Sequence, residues 1–131
     1  MNISQILASR TGRHIVSIEP KASVKEALKL MAAHEIGALL VMSKGKLVGL
    51  VSERDYARKV SLEGKSADTT LVEEIMTRKL ISATRETGRE EAMALMVKNN
   101  FRHLPVLDAQ KTCIGIVSMR DLVQDIEGED E

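Results

Sequence analysis

The apolar positions of this chain fall into two kinds of run that alternate along its length. Val24, Ala27, Leu28 and Met31 recur at helical spacing behind Ser23-x-x-Glu26, a pair whose side chains can satisfy a helix's first backbone donors. This predicts a helix stopped by Gly37. Two continuous apolar runs follow, Ala38-Leu39-Leu40-Val41-Met42 and Leu47-Val48-Gly49-Leu50-Val51, separated by Ser43-Lys44-Gly45-Lys46, which reads as a hairpin. Tyr56 and Val60 mark the inner face of a closing helix. Upstream, the β-branched stretch His14-Ile15-Val16-Ser17-Ile18 predicts a short strand ended by Pro20, and Ile3-x-x-Ile6-Leu7 predicts a short leading helix.

The whole pattern then returns. Val72-x-x-Ile75-Met76 repeats the leading helix, and Thr87-x-x-Glu90 opens a second helical stripe of Ala92, Leu95 and Met96, with Gly88 weakening its start. Leu104-Pro105-Val106-Leu107 turns through Asp108–Thr112 into Cys113-Ile114-Gly115-Ile116-Val117, and Leu122, Val123 and Ile126 line the closing helix. Pro105 has no N–H for a ladder, so it belongs at a strand start or on an edge. Glu26, Ala27, Leu30, Met31, Leu39 and Val41 match Glu91, Ala92, Leu95, Met96, Leu104 and Val106 at one offset. Gly49-Leu50-Val51-Ser52-Glu53-Arg54-Asp55 matches Gly115-Ile116-Val117-Ser118-Met119-Arg120-Asp121 at an offset one residue longer, an insertion that a hairpin loop absorbs. The expected organisation is two copies of a strand–helix–strand–strand–helix unit, residues 1–66 and 67–126, each with its leading helix, and an acidic tail at 127–131. The first strand and helix of each unit return to the sheet as a right-handed crossover.

Composition narrows the function. A chain of 131 residues can bury a core without staples, and its single cysteine, Cys113, lies in an apolar run that suits a small buried hydrophobe. Lys plus Arg equals Asp plus Glu at 19 each, so no net field attracts nucleic acid or anionic lipid. One Tyr and one Phe provide no platform for stacked bases. The opening residues lack a basic start followed by a long apolar run, and no span has the apolar length of a membrane helix. The expectation is a soluble cytoplasmic protein that makes no membrane contact.

Enzyme signatures are absent. There is no Gly-x-Ser-x-Gly elbow, no phosphate-binding glycine loop, and no partner at metal-ligand spacing for His14, His34 or His103. Ser52-x-x-Asp55 and Ser118-x-x-Asp121 have two readings. Either pair can be a capping box, yet both copies keep Asp and both place Arg54 or Arg120 directly before it, which a cap does not require. A carboxylate in a first helical turn repels phosphate but can accept from the two hydroxyls of a ribose. Phosphate would fall to cations such as Arg102 and His103, at a helix-to-strand turn, unless that pair is a solvated basic turn.

With the Ile75-Met76-Thr77 and Arg102-His103-Leu104-Pro105-Val106 runs added, the double unit resembles a tandem pair of cystathionine-β-synthase (CBS) domains, also called a Bateman module, from about Ile3 to Ile126. The resemblance implies an α+β fold of two pseudo-symmetric repeats, with small sheets packed face to face and flanking helices. It also implies two clefts for an adenosine ligand such as AMP, ADP, ATP, S-adenosylmethionine or NAD(H), with the motif's Asp on the ribose. Carried over, one cleft would take Ser118 and Asp121, with Arg102 and His103 near phosphate and Thr11, Ile15, Val16, Gly37 and Ala38 around the adenine. The other would take Ser52 and Asp55, with Thr77 and Ile81 from the second copy. Gly37-Ala38 offers no cation where the second copy has Arg102-His103, so the Asp55 cleft would borrow Arg102, His103 or Lys79 or take a ligand with less phosphate, with Arg54 and Arg120 as additional phosphate candidates. The implied protein is a stand-alone, non-enzymatic regulatory sensor, pairing into homodimers and answering an unidentified effector. The alternative is a ligand-free dimerisation scaffold.

Overall fold

A hairpin carries each half of the fold. In the computed structural model, which describes residues 2–8 and 16–123, strands β2 (Ala38–Ser43) and β3 (Lys46–Ser52) pair antiparallel. Lys44 and Gly45 both take positive φ, 52° and 78°, the twist that suits a two-residue hairpin turn. Strand β1 (Ser17–Ile18) adds to β2 in parallel, giving the order β1-β2-β3. Between β1 and β2 runs helix α2 (Val24–His34), capped by the Ser23 side chain accepting from the Glu26 N–H at 3.1 Å. Glu35, left-handed at φ 54°, closes that helix two residues before the glycine expected to stop it.

Behind β3 the chain turns into helix α3 (Glu53–Tyr56) and directly into a π-helical turn (Ala57–Ser61), where the Leu62 N–H reaches the Ala57 carbonyl at 3.0 Å. Helix α4 (Val72–Ile75), the leader of the second repeat in sequence, packs here as well. Val72, Ile75 and Met76 share a core with Val24, Ala27, Met31, Leu39, Val41, Val51 and Val60, and α4 is tied down by Val72 N to Ala22 O at 2.8 Å.

The second half repeats the plan with helix α5 (Arg89–Asn99) and strands β4 (His103–Leu107) and β5 (Cys113–Ser118), an antiparallel pair, followed by helical residues 119–123. Both hairpins carry a bulge at the corresponding place: the register slips between Val41 and Met42 and between Val106 and Leu107, leaving Val48 and Ile114 unopposed, each one residue before the shared glycine. Helix α1 (Ile3–Ala8), the leader of the first repeat, packs in this half, where Ile3 joins Ala83, Ala92, Met96, Leu104, Val106, Val117 and Leu122. One compact unit is therefore Val16–Leu80, and the other combines Met1–Ile15 with Ile81–Glu131. Sequence repeats and compact units divide the chain at different places, because Ile3 of one leading helix and Val72 and Ile75 of the other are buried in the core of the other repeat.

Two details correct the sequence reading. The N-cap of α5 is Gly88 without a side-chain bond, and Thr87 instead accepts from the Thr84 N–H at 3.0 Å. Val123, expected on the inner face with Leu122, is 40% exposed. Pro105 lies inside β4, an edge strand of the β4-β5 sheet, which meets the expectation of a strand start or an edge; the corresponding Leu40 N–H bonds Val16 O at 3.3 Å, a bond that proline cannot make. The strand matching β1 is thereby reduced to a single bridge, Ala83 to Val106. Cys113 is buried, as its apolar surroundings imply. Among the described residues no helix is long and apolar enough to cross a membrane. His14 and Ile126 fall outside the described residues.

Candidate functional site

Both Ser-x-x-Asp pairs sit where a strand becomes a helix, and both form a cap. Ser52 N–H donates to Asp55 Oδ2 at 2.9 Å, Asp55 N–H donates to Ser52 Oγ at 3.2 Å, and the Ser52 hydroxyl lies 3.1 Å from the same Oδ2. In the second repeat Ser118 N–H donates to Asp121 Oδ2 at 2.8 Å and Asp121 N–H to Ser118 Oγ at 3.0 Å. Each box is worth about 1 kcal/mol to its helix and fixes the carboxylate's orientation. The capping reading is thus correct for both pairs, and it commits one carboxylate oxygen of each Asp. Any ligand contact would have to use what remains.

The residue matched to Arg102 in the first repeat, Gly37, belongs to the same corner. Glu53 N–H donates to Gly37 O at 3.0 Å, just as Met119 N–H donates to Arg102 O at 2.9 Å, and Ala38 pairs with Ser52 as His103 pairs with Ser118. Gly37, Ala38, Ser52 and Asp55 therefore meet in one unit, and Arg102, His103, Ser118 and Asp121 meet in the other. The charge at the two corners differs: a Cβ on Gly37 would lie 3.2 Å from Glu53 Oε1, so an acid stands over the position that is Arg102 in the second repeat.

His103 titrates below its ordinary 6.5, first because burial disfavours the cation, with Arg102 adding to the effect and Asp121 opposing it. The Arg102 and Arg120 side chains are exposed, whereas Arg54 is half-buried.

Thr77, although it follows the second leading helix in sequence, lies in the unit that holds Asp55, where it exchanges main-chain bonds with Leu50, two residues before Ser52. Val16 lies in that unit too, its carbonyl on Leu40. Lys79 is exposed. Ile81 packs against the core containing Ile3, in the other unit. Thr11 and Ile15 lie outside the described residues.

One polar residue at this corner escapes sequence inspection. Lys59 Nζ stands 3.1 Å from Asp55 Oδ1 and donates to the Ile75 carbonyl at 2.8 Å. Its signal in the sequence is only the four-residue spacing from Asp55, common on any helix. Among the described residues no cluster of His, Cys, Asp or Glu is arranged to hold a metal ion.

The duplicated corner is matched by a known family. Its model, the CBS domain, covers residues 4–62 and again 72–128. The chain belongs to the CBS-domain family. A CBS-domain protein from Burkholderia ambifaria MC40-6 superposes with a TM-score of 0.95 at 42% identity, covering 100% of this chain and 97% of that one. The CBS domain pair of protein MJ0100, solved in complex with 5′-methylthioadenosine and S-adenosyl-L-methionine, gives 0.84 at 27% identity, covering 98% of each chain. The mitochondrial CBS domain-containing protein CBSX3 of Arabidopsis thaliana is 44% identical over 107 residues, which is 78% of this chain but 52% of CBSX3. The CBS pair here thus spans about half the length of that relative.

Proposed function

We propose that this CBS pair is a regulatory sensor for an adenosine-containing small molecule, with Asp55 and Asp121 each receiving ribose hydroxyls and with no chemical change to the ligand. The observation that carries the reading is the paired corner: both Asp residues are fixed by their own caps with one oxygen committed, an arrangement repeated in a chain whose neighbour MJ0100 holds two adenosine derivatives. On the Asp121 side Ser118, Arg102, His103 and Arg120 favour a phosphorylated ligand such as AMP, ADP, ATP or NAD(H). On the Asp55 side Ser52, Arg54, Thr77 and Lys79 are the proposed contacts. Signalling would pass through a shift between two arrangements of the protein, driven by the ligand's differential affinity for them, to an effector, within a homodimer in the cytoplasm.

A scaffold reading also has an observation in its favour, because the caps account for the Ser and Asp side chains without any ligand and Leu62 and Val97 are 80% and 74% exposed. Thermal melting in the presence of AMP, ATP, NADH, S-adenosylmethionine and 5′-methylthioadenosine separates the two. A ligand that binds the native state and not the unfolded chain raises the melting temperature, and the rise grows with the logarithm of its concentration above Kd. A flat response to all five leaves the scaffold.

A further inference from the structure

The two carboxylates at the heart of the proposed site are held by the same cap, and Asp55 also meets an ammonium group. Its Oδ2 accepts the Ser52 N–H at 2.9 Å and faces the Ser52 hydroxyl at 3.1 Å. Its Oδ1 faces Lys59 Nζ at 3.1 Å. The ammonium is anchored a second time, on the carbonyl of Ile75 at 2.8 Å, so two of its three donors are committed and its position is set by the protein. The Asp55 side chain is only 12% exposed, which leaves little carboxylate surface beyond these contacts, whereas the Lys59 side chain is 46% exposed and has solvent to swing into.

We infer that Lys59 is a specificity-determining gate on Asp55: its ammonium holds the carboxylate oxygen that a vicinal diol would need, so a neutral nucleoside must displace it. The inference rests on the adenosine reading above and deepens it for the first repeat. Two adjacent hydroxyls are two donors and need two acceptor positions on one carboxylate. With Oδ2 taken by the cap, Oδ1 must supply them, and the ammonium lies against it. Displacement is feasible because a half-exposed ion pair is weak, but it subtracts from the affinity of every ligand that enters through its hydroxyls. The inference concerns the first repeat, where the lysine stands; the matching position of the second repeat in the sequence is Asp125.

The test uses the full chain carrying Asp121→Asn, which removes the second repeat's charge and keeps an acceptor there, titrated calorimetrically with adenosine and with 2′,3′-dideoxyadenosine. Lys59→Met in that background should tighten adenosine about three- to fivefold and leave the dideoxy compound unchanged. Lys59→Gln, which retains a donor for the Ile75 carbonyl, should do the same and carries the test if the methionine variant does not fold. Equal gains for both ligands would mean general loosening, and no gain for either would mean no gate; each overturns the inference while leaving hydroxyl-dependent binding intact. If the hydroxyls make no difference in any of these proteins, Asp55 does not bind ribose, and the adenosine reading for this repeat fails with the gate.

Discussion

Leu50 and Thr77 exchange both of their main-chain hydrogen bonds, Leu50 N to Thr77 O at 3.0 Å and Thr77 N to Leu50 O at 2.8 Å. The segment after α4 is thereby laid against β3, and the neighbouring Gly49 has no room for a side chain. A Cβ there would stand 2.7 Å from Met76 Sδ and 3.1 Å from Thr77 O. The methionine end can move, but the carbonyl belongs to the backbone bond itself. Gly49→Ala should cost about 1 kcal/mol and Gly49→Val about 2–3 kcal/mol in urea unfolding. A valine variant as stable as the parent would mean that this contact is not formed in solution.

Asp121 is the charge on which nucleotide binding in the second repeat would depend. Asp121→Asn keeps an oxygen for the Ser118 N–H, so the cap should survive with a small change in melting temperature. A charge-assisted hydrogen bond is worth about 1.5–3 kcal/mol, so affinity for AMP should fall roughly 10- to 100-fold. Unchanged calorimetric affinity would remove Asp121 from the site.

His103 gives the fold a pH dependence of known sign. Its pKa in the folded protein is below the ordinary 6.5, chiefly through burial. Below 6.5 the unfolded chain binds the proton more readily than the native one, so stability falls as the medium is acidified towards the folded-state pKa, by at most about 1.4 kcal/mol per pH unit. Above 6.5 both states are neutral at this residue and it contributes no slope. Urea unfolding at pH 7.5 and 5.5 should show a smaller difference for His103→Gln than for the parent. Identical differences would assign the acid sensitivity elsewhere.

Ile3, in the first turn of α1, is fully buried with Ala92, Met96 and Leu104 of the second repeat. Ile3→Ala removes packing from that core and should cost about 2–4 kcal/mol. Its amide exchange signature is specific: protection should drop in α5, β4 and β5 before it drops in β2 and β3. Loss confined to the first repeat's hairpin would contradict the packing of this helix.

Much of this was legible in the sequence because it depends on near neighbours. Hairpin, helix and strand order follow from local apolar spacing and turn chemistry, and the duplication doubles each signal; the caps at Ser52–Asp55 and Ser118–Asp121 need only residues three apart. The same locality misled at Thr87. A threonine three residues before a glutamate looks like a cap, but its hydroxyl serves Thr84, and the helix begins one residue later. The stop of α2 was misplaced for a related reason: Glu35 accepts a left-handed backbone that the composition assigns to a glycine.

The sequence alone determined that two like units exist, what elements each contains, and where two acids recur at helix starts. It could not determine which repeat each leading helix packs with, since α1 and α4 carry the same apolar pattern and either core could bury it. Only the tertiary structure decided that exchange. It also decided that Asp55 keeps a lysine on its remaining oxygen, because the ammonium's place is set by the Ile75 carbonyl, sixteen residues away along the chain and adjacent only once α4 has docked. Short-range spacing fixes backbone shape, whereas which charge meets which acceptor follows from packing that brings distant segments together.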